Sequence, residues 1–276
     1  MVKLERIRTT AAIKSSYHGD RKKVKDKELM VAYRLFLADN TQPIVFNSAY
    51  WKNSKDQLKI ESSGKCAYCE ADTQVVAHGD VEHYRPKSIY WWLAYTYDNY
   101  LFACQICNQT YKNDNFPIAG TVFSAPMINF GTTDDDINLL RGNISPDPID
   151  FQTGYQLTTY LASHNIEQAL LLNPYFDDPT RFIAYHYSDE KMEVSIIPID
   201  NHAEPYIKAM EDYYGINRIE LKNLRYRVFK MFRVLKKSYF SVNDPILKAD
   251  IEDQLNDMLS LQYTFAGMNR FFDNKI

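Results

Sequence analysis

Four cysteines, arranged as two C-x-x-C pairs, place the strongest constraint on how this 276-residue chain folds. The pairs are Cys66 with Cys69 and Cys104 with Cys107, and the sequence has no other cysteine. Two close-set thiolates from each of two turns complete a tetrahedral site with Zn–S bonds of about 2.3 Å. We therefore predict one structural Zn²⁺ bound by all four cysteines, in preference to disulfides.

A long spacer separates the two cysteine pairs. Its 34 residues exceed what a common zinc ribbon contains, so a further structure is built between the two turns. The spacer carries the adjacent pair Glu82-His83 and, later, Asn99, and Asn108 directly follows the last cysteine. Histidine has an unperturbed pKa of about 6.5 and can deprotonate water near neutral pH. Carboxylate and amide oxygens suit Mg²⁺ or Mn²⁺.

These properties give each residue a predicted role. His83 is the candidate general base, and Glu82 and Asn108 are candidate ligands of a catalytic Mg²⁺ or Mn²⁺. Asn99 is expected to tie down the loop between the strands and so to orient His83. Asp80 is a further candidate ligand of the same ion.

Simpler interpretations of these side chains remain open. Glu82 could be a surface carboxylate or could only orient the neighbouring histidine. Asn108 could cap the helix that follows it.

Two basic residues near this group are candidates for substrate binding. Arg85 or Lys112 could hold a phosphate group of a substrate.

The charge of the chain is unevenly distributed. Residues 1–65 contain 14 Lys and Arg against 7 Asp and Glu, whereas residues 118–180 contain one basic residue against eight acidic ones. The net charge of −3 hides this polarity. The chain could therefore offer a basic surface to an anionic partner.

Hydrophobic periodicity and turn residues predict an α+β fold with three parts. Residues 1–60 form an N-terminal helical extension, residues 61–120 a zinc-stapled core, and residues 121–276 a mainly helical region for recognition or docking. The basic run 21–25 is expected to precede the first helix. The aromatic segment 89–100 is expected to pack in the core. The predicted helices are 26–38, 50–60, 107–112, 203–214, 218–239 and 245–263, and the predicted strands are 75–77, 81–84, 181–187 and 192–199.

Residues 218–237 of the predicted C-terminal helix are strongly basic. They contain eight Lys and Arg, among them Arg218 and Arg225, against Glu220 as the acidic residue. Such a face could follow a phosphate backbone, which makes Arg218 and Arg225 candidate substrate-binding residues. A solvated helix or a docking face for an acidic partner explains the pattern as well.

Targeting and membrane signals are absent from the sequence pattern. The first residues are polar, without the apolar stretch of a signal peptide, and no run of about 18 apolar residues occurs. We expect a cytoplasmic protein with no membrane partner.

Three short motifs resemble the HNH, or ββα-metal, nuclease family. They read V-E-H-Y-R-P-K at 81–87, D-N-Y-L at 98–101, and C-Q-I-C-N at 104–108 followed by Lys112. The E-H-Y-R-P-K variant and a later F-P at 116–117 are similar to HNH proteins of Septu-type and retron-associated antiphage systems. Further motifs similar to that subfamily are L-L-N-P at 171–174, D-D-P at 177–179, and I-N-R-I-E-L at 216–221 with Arg225.

The resemblance, which covers about residues 60–230, implies a fold and a function. The fold would be a zinc-stapled ββα-metal core, and the activity a metal-dependent endonuclease that cuts DNA or RNA. The implied partner is an ATPase encoded next to the nuclease, accompanied in retron systems by a reverse transcriptase and its nucleic acid. The alternative is a zinc-stapled module that binds nucleic acid or protein without cutting it. Glu82-His83 with Asn108 distinguishes the two, because a staple needs only cysteines.

Overall fold

Two antiparallel strands and a following helix form the centre of the protein. The structure is a computed structural model and describes residues 1–41, 43–73 and 78–276. Strand β1 (Asp80–His83) pairs with β2 (Tyr100–Ala103), so that His83 lies opposite Tyr100. A short π-helix, Ile106–Lys112, follows β2 and carries the last cysteine. With helices packed around small two-stranded sheets, the α+β class predicted from the sequence is confirmed.

A glycine sets the entry into β1. Gly79 has a φ of 58°, and a Cβ at this position would lie 2.4 Å from the ring of Phe102 on β2. A side chain would therefore clash with the partner strand in addition to straining the backbone. The strand predicted at 75–77 lies outside the described residues, and the partner that β1 has in the structure is β2.

The N-terminal helices differ in their bounds from the prediction. Helix α1 (Gly19–Ala38) includes the basic run 21–25, so the expectation that this run precedes the helix is wrong. Lys22 of that run is buried and pairs with Asp26 one turn later, at 2.7 Å. The ion pair links the first turn of the helix to the next one.

Two short helices replace the single helix predicted at 50–60. They are α2 (Ser48–Lys52) and α3 (Lys55–Glu61). The Ser54 hydroxyl donates to the Trp51 carbonyl at 2.7 Å, an alternative to the helical hydrogen bond that favours a break at this point.

The C-terminal region contains the predicted hairpin and helices. Residues 134–140, for which no helix was predicted, also form one, because Thr133 and Asp136 make a reciprocal capping box at its start. Two further helices, at 157–167 and 266–273, were not predicted either. The elements are α4 (Asp134–Leu140), α5 (Leu157–Glu167), β3 (Ile183–Ser188), β4 (Glu193–Pro198), α6 (Glu204–Tyr214), α7 (Ile219–Ser241), α8 (Pro245–Leu259) and α9 (Ala266–Asp273).

The apolar interior consists of two clusters, one on each side of the β1–β2 hairpin. The first combines the cysteine turns with the β3–β4 hairpin and α6–α9. The second combines α1–α3 with the aromatic segment between β1 and β2. Trp91 and Trp92 are 4% and 3% exposed, which confirms that the aromatic segment packs in the core. Within the residues described, no helix combines the length and apolar character needed to cross a bilayer.

A buried ionic network joins the end of β1 to α5. Arg85 has no exposed surface, and its guanidinium pairs with Glu167 at 2.7 Å. The same group donates to the Tyr160 hydroxyl at 2.8 Å and to Nδ1 of His164 at 3.1 Å. His164 in turn contacts Asp177 through Nε2. The network therefore holds Arg85 in the core, where its guanidinium is shielded from solvent.

Removing the counter-charge of Arg85 should be costly. We expect Glu167→Gln to destabilise the protein by about 3 kcal/mol, because a buried guanidinium loses its ionic partner. Asp212→Asn is the matched control, since the Lys208–Asp212 pair is 69% and 44% exposed. That variant should lose at most about 1 kcal/mol. Urea denaturation of the two variants measures both effects, and equal midpoints would contradict the prediction.

Candidate functional site

The four cysteines meet in one cluster. Their Sγ atoms all lie within 4.8 Å of one another, and three of the four residues are buried. The amide of Cys66 donates to the Ala71 carbonyl, which closes the first turn, and the amide of Ala67 donates to Phe102 on β2. The second turn starts where β2 ends, and the Cys107 amide points at Cys104 Sγ, 3.5 Å away.

The chemistry of this cluster fits zinc. Burial raises the pKa of the Cys66 thiol well above its usual range, so the thiolate form needs a nearby cation. A tetrahedral ion with bonds of about 2.3 Å requires sulfur–sulfur separations of about 3.8 Å, which the 4.8 Å upper limit in this cluster allows. All-thiolate ligation favours zinc over hard cations. The structure thus brings together the four cysteines that the sequence predicted to bind one ion, in an arrangement compatible with zinc.

Arg218 lies on the cysteine cluster. Its Nη1 is 3.4 Å from Sγ of Cys107 and its Nη2 is 4.0 Å from Sγ of Cys69. Gly215, at the end of α6, fixes this position: Nη1 donates to its carbonyl at 3.1 Å, and a Cβ there would lie 2.5 Å from the Tyr111 ring. The guanidinium therefore faces the thiolates, and the structure brings this predicted substrate-binding residue to the metal centre instead.

Arg225, one further predicted substrate-binding residue, lies in the interior. It is 1% exposed, and its guanidinium carbon is 5.6 Å from the centroid of the Phe265 ring. Both Nη atoms lack a hydrogen-bond partner among the described residues, and burial lowers the pKa of the side chain. The structure thus separates Arg225 from the exposed basic face of α7.

A cleft of about 210 Å³ opens beside the π-helix. We call it the His83 cleft. It contains Glu82, His83 and Asn108, so the structure brings three of the four predicted catalytic residues to one place, whereas Asn99 does not line it. The remaining wall consists of Trp51, Val81, Pro86, Lys87, Gln109, Asn113 and Asp114.

The protein holds His83 in a defined tautomer. Nε2 lies 3.0 Å from the Ala94 carbonyl, and because a carbonyl only accepts, Nε2 carries the proton. Nδ1 is therefore the acceptor nitrogen of the neutral ring. The rings of Trp51 and Tyr100 stand nearly perpendicular to the imidazole, at 4.9 and 5.1 Å. Burial lowers the pKa of His83 to about 3, which keeps the imidazole neutral at physiological pH.

Glu82 and Lys112 form a buried ion pair at the base of the cleft. Lys112 Nζ lies 2.6 Å from Oε1 of Glu82 and donates to the His83 carbonyl at 3.0 Å. The Tyr68 hydroxyl also reaches Oε1, at 3.3 Å. Burial raises the pKa of Glu82, whereas Lys112 lowers it. With no exposed surface, Lys112 supports Glu82 and His83 and is not available to a phosphate in this structure.

Asn99 closes the loop between β1 and β2. It is fully buried, and its Oδ1 accepts from the Arg85 amide at 2.8 Å. Its Nδ2 donates to the carbonyls of Arg85 and Leu93, at 3.0 and 3.3 Å. The side chain therefore fixes the chain two residues beyond His83 without entering the cleft.

Asn108 is oriented by Asp80. Its Nδ2 lies 3.3 Å from Oδ2 of Asp80, and Gln109 Nε2 donates to the same oxygen at 2.8 Å. The carbonyl oxygen of Asn108 is thereby left for another partner. Asp80 does not line the cleft, and in this arrangement it positions Asn108.

Sequence reasoning missed three cleft residues, Trp51, Lys87 and Asp114. Lys87 ends the E-H-Y-R-P-K motif, and Asp114 follows Lys112 by two positions. Their closeness in sequence to candidate site residues could have indicated both. Trp51 had none, because it comes from α2 and reaches the cleft only through tertiary packing.

Comparison with characterised proteins gives one relevant similarity. The chain is 24% identical over 259 residues to the Septu protein PtuB of Bacillus mycoides (strain KBAB4), which covers 85% of this chain and 74% of that protein. This similarity supports a PtuB-like relationship. No protein-family model matches the chain, and no solved structure matches it. The similarity extends far beyond the cysteines, so it is not due to a shared zinc site alone.

Charge compensation by Arg218 should govern how tightly the metal is held. We expect Arg218→Met to weaken zinc affinity about 10- to 100-fold, as loss of a side chain that supports metal ligands typically does. Competition with a chromophoric chelator measures this. Arg227→Met is the control, since Arg227 is exposed on the same helix. Equal zinc retention by both variants would rule out a role for Arg218 at the cluster.

Proposed function

We propose that this protein is a metal-dependent endonuclease that hydrolyses phosphodiester bonds. The observation that carries the proposal is His83, a neutral imidazole whose tautomer is fixed by the Ala94 carbonyl, placed in a cleft with two oxygen donors. The HNH resemblance of the same residues supports it. Substrate identity, DNA or RNA, is left to experiment.

His83 would take the proton of the attacking water at Nδ1. The Nε2–H bond to Ala94 orients the ring and stabilises the positive charge that develops as the proton arrives. Asn99 and Lys112 hold the backbone on either side of this residue. The base would therefore be positioned before substrate binds.

The donor set also fits a hard divalent cation. Oε1 of Glu82 is occupied by Lys112 and Tyr68, which leaves Oε2, and the Asn108 amide nitrogen is occupied by Asp80, which leaves its carbonyl oxygen. Those two oxygens would hold Mg²⁺ or Mn²⁺, which keeps several waters and needs few protein ligands. When bound, the ion would supply Lewis-acid stabilisation of the phosphate and of the leaving oxygen.

We infer a role in antiphage defence from the similarity to the Septu protein PtuB. The resemblance to Septu-type HNH proteins further implies an ATPase partner. A binding module that does not cut is the competing proposal. The positioned histidine favours the nuclease, because a zinc staple has no need for such a group.

Loss of the base should abolish cleavage. We expect His83→Ala to reduce the rate about 10²- to 10⁴-fold while zinc content stays at the wild-type level, since the cysteine cluster is untouched. The measurement is cleavage of plasmid DNA, single-stranded DNA and RNA with Mg²⁺ or Mn²⁺. His186→Ala, on the exposed face of β3, is the control. Cleavage by the His83→Ala variant at the wild-type rate would show that the active site lies elsewhere.

The exposed basic face of α7 provides a test of recognition. Arg227, Lys230 and Lys237 are exposed, whereas Arg233 pairs with Asp189. We expect Arg227→Glu combined with Lys230→Glu to weaken binding either to nucleic acid or to the ATPase encoded beside this protein, and to spare zinc.

Pull-down with that ATPase and the salt dependence of nucleic-acid binding separate the two targets. Phosphate contacts give a linear dependence of log affinity on log salt concentration. If the double variant assembles with the ATPase, binds nucleic acid and cleaves it as the wild type does, this face has no role in recognition.

A further inference from the structure

The basic residues predicted to hold phosphate do not reach the His83 cleft. Arg85 and Lys112 have no exposed surface, Arg225 is 1% exposed, and Arg218 faces the cysteines. Among the described residues that line the cleft, the basic side chain is Lys87. It is half-buried, and no hydrogen bond or ion pair to a described acidic group occupies its ammonium group. A substrate phosphate in the cleft would therefore meet Lys87.

Trp51 forms the wall next to this lysine. Its ring centroid is 5.8 Å from Nζ of Lys87 and 4.9 Å from the His83 ring centroid, with the two rings at 83°. The buried Trp91 and Trp92 are enclosed by the aromatic cluster, whereas Trp51 is half-buried and lines the cleft. A large π surface thus stands beside the proposed base and the one available cation of the described cleft wall.

We propose that Trp51 and Lys87 bind an unpaired nucleotide at the scissile phosphate. The base would stack on the indole, and the ammonium group would contact a phosphate oxygen. This assignment rests on the proposed nuclease function, which it extends to a substrate class, single-stranded nucleic acid.

Stacking on Trp51 requires a base whose face is free. In a duplex both faces of each base are covered by neighbouring base pairs, so a paired base must first be unstacked at a cost of a few kcal/mol. A cleft of about 210 Å³ also suits one nucleotide unit better than a base pair. An aromatic ring can stack on any base. The contact would therefore distinguish a single strand from a duplex, but not one base sequence from another.

The contribution of Trp51 is measured by binding in the inactive His83→Ala background. Labelled single-stranded DNA, single-stranded RNA and a duplex of the same sequence serve as probes in fluorescence anisotropy. Trp51→Ala should weaken single-strand binding about 5- to 150-fold, the equivalent of one stacked base, and Trp51→Tyr should retain most of it. Phe130→Ala, 79% exposed and remote from the cleft, should have no effect. The single-stranded probe that binds with the higher affinity identifies the preferred ligand as DNA or RNA.

Lys87 is tested by salt dependence. Lys87→Met should lower the slope of log affinity against log salt by about 0.7 for a single strand, and Lys87→Arg should restore it. Lys191→Met, exposed in the turn of the β3–β4 hairpin, should leave the slope unchanged. Thermal unfolding of each variant verifies that the fold is intact.

The outcomes separate this inference from the proposed function. Unchanged single-strand binding by both Trp51→Ala and Lys87→Met overturns the inference, as does equal binding of the duplex with the same dependence on Trp51. Cleavage by the wild type that His83→Ala does not reduce overturns the proposed function instead, whatever the binding assays show. Weaker single-strand binding by both variants, with rescue by Trp51→Tyr and Lys87→Arg, supports the inference.

Discussion

The four-cysteine cluster is the constraint on which the rest of the structure depends. It joins the turn at residues 66–69, which precedes β1, to the turn at residues 104–107, which follows β2. The cluster therefore links the two ends of the β1–β2 segment. Tyr68, between the first two cysteines, stacks on Tyr214 of α6 at 3.8 Å and reaches Glu82 in the cleft. Arg218 adds the start of α7 to the same cluster. The cluster therefore connects segments that lie far apart in the sequence, and metal binding there would be coupled to folding.

The candidate site depends on packing between distant segments. The β1–β2 hairpin provides Glu82 and His83, the π-helix provides Asn108, and α2 provides Trp51. Arg85, at the end of β1, is held by α5 through Glu167. The domain boundaries predicted at residues 60 and 120 stay predictions, but functional contacts cross both of them. The flanking regions therefore take part in building the cleft as well as surrounding it.

Buried charge distinguishes groups that support the site from groups that could act in it. Arg85 and Lys112 are paired in the interior, where each compensates a carboxylate, and Lys112 also donates to the His83 carbonyl. Such pairs contribute to specificity of structure more than to stability, since desolvation offsets much of their attraction. Lys87 has no ion pair with an acidic group among the described residues, and it lines the cleft.

The sequence by itself determined the pairing of the four cysteines into one cluster, the α+β class, the β3–β4 hairpin and the long C-terminal helices. Cysteine spacing and local periodicity encode these features directly, because each depends on near neighbours. It also indicated Glu82, His83 and Asn108 as candidate site residues, and the structure brings the three into one cleft. Which arginines are buried was decided only by tertiary structure. The sequence pattern does not show whether a basic side chain faces solvent, as that of Arg227 does, or a cysteine cluster, as that of Arg218 does.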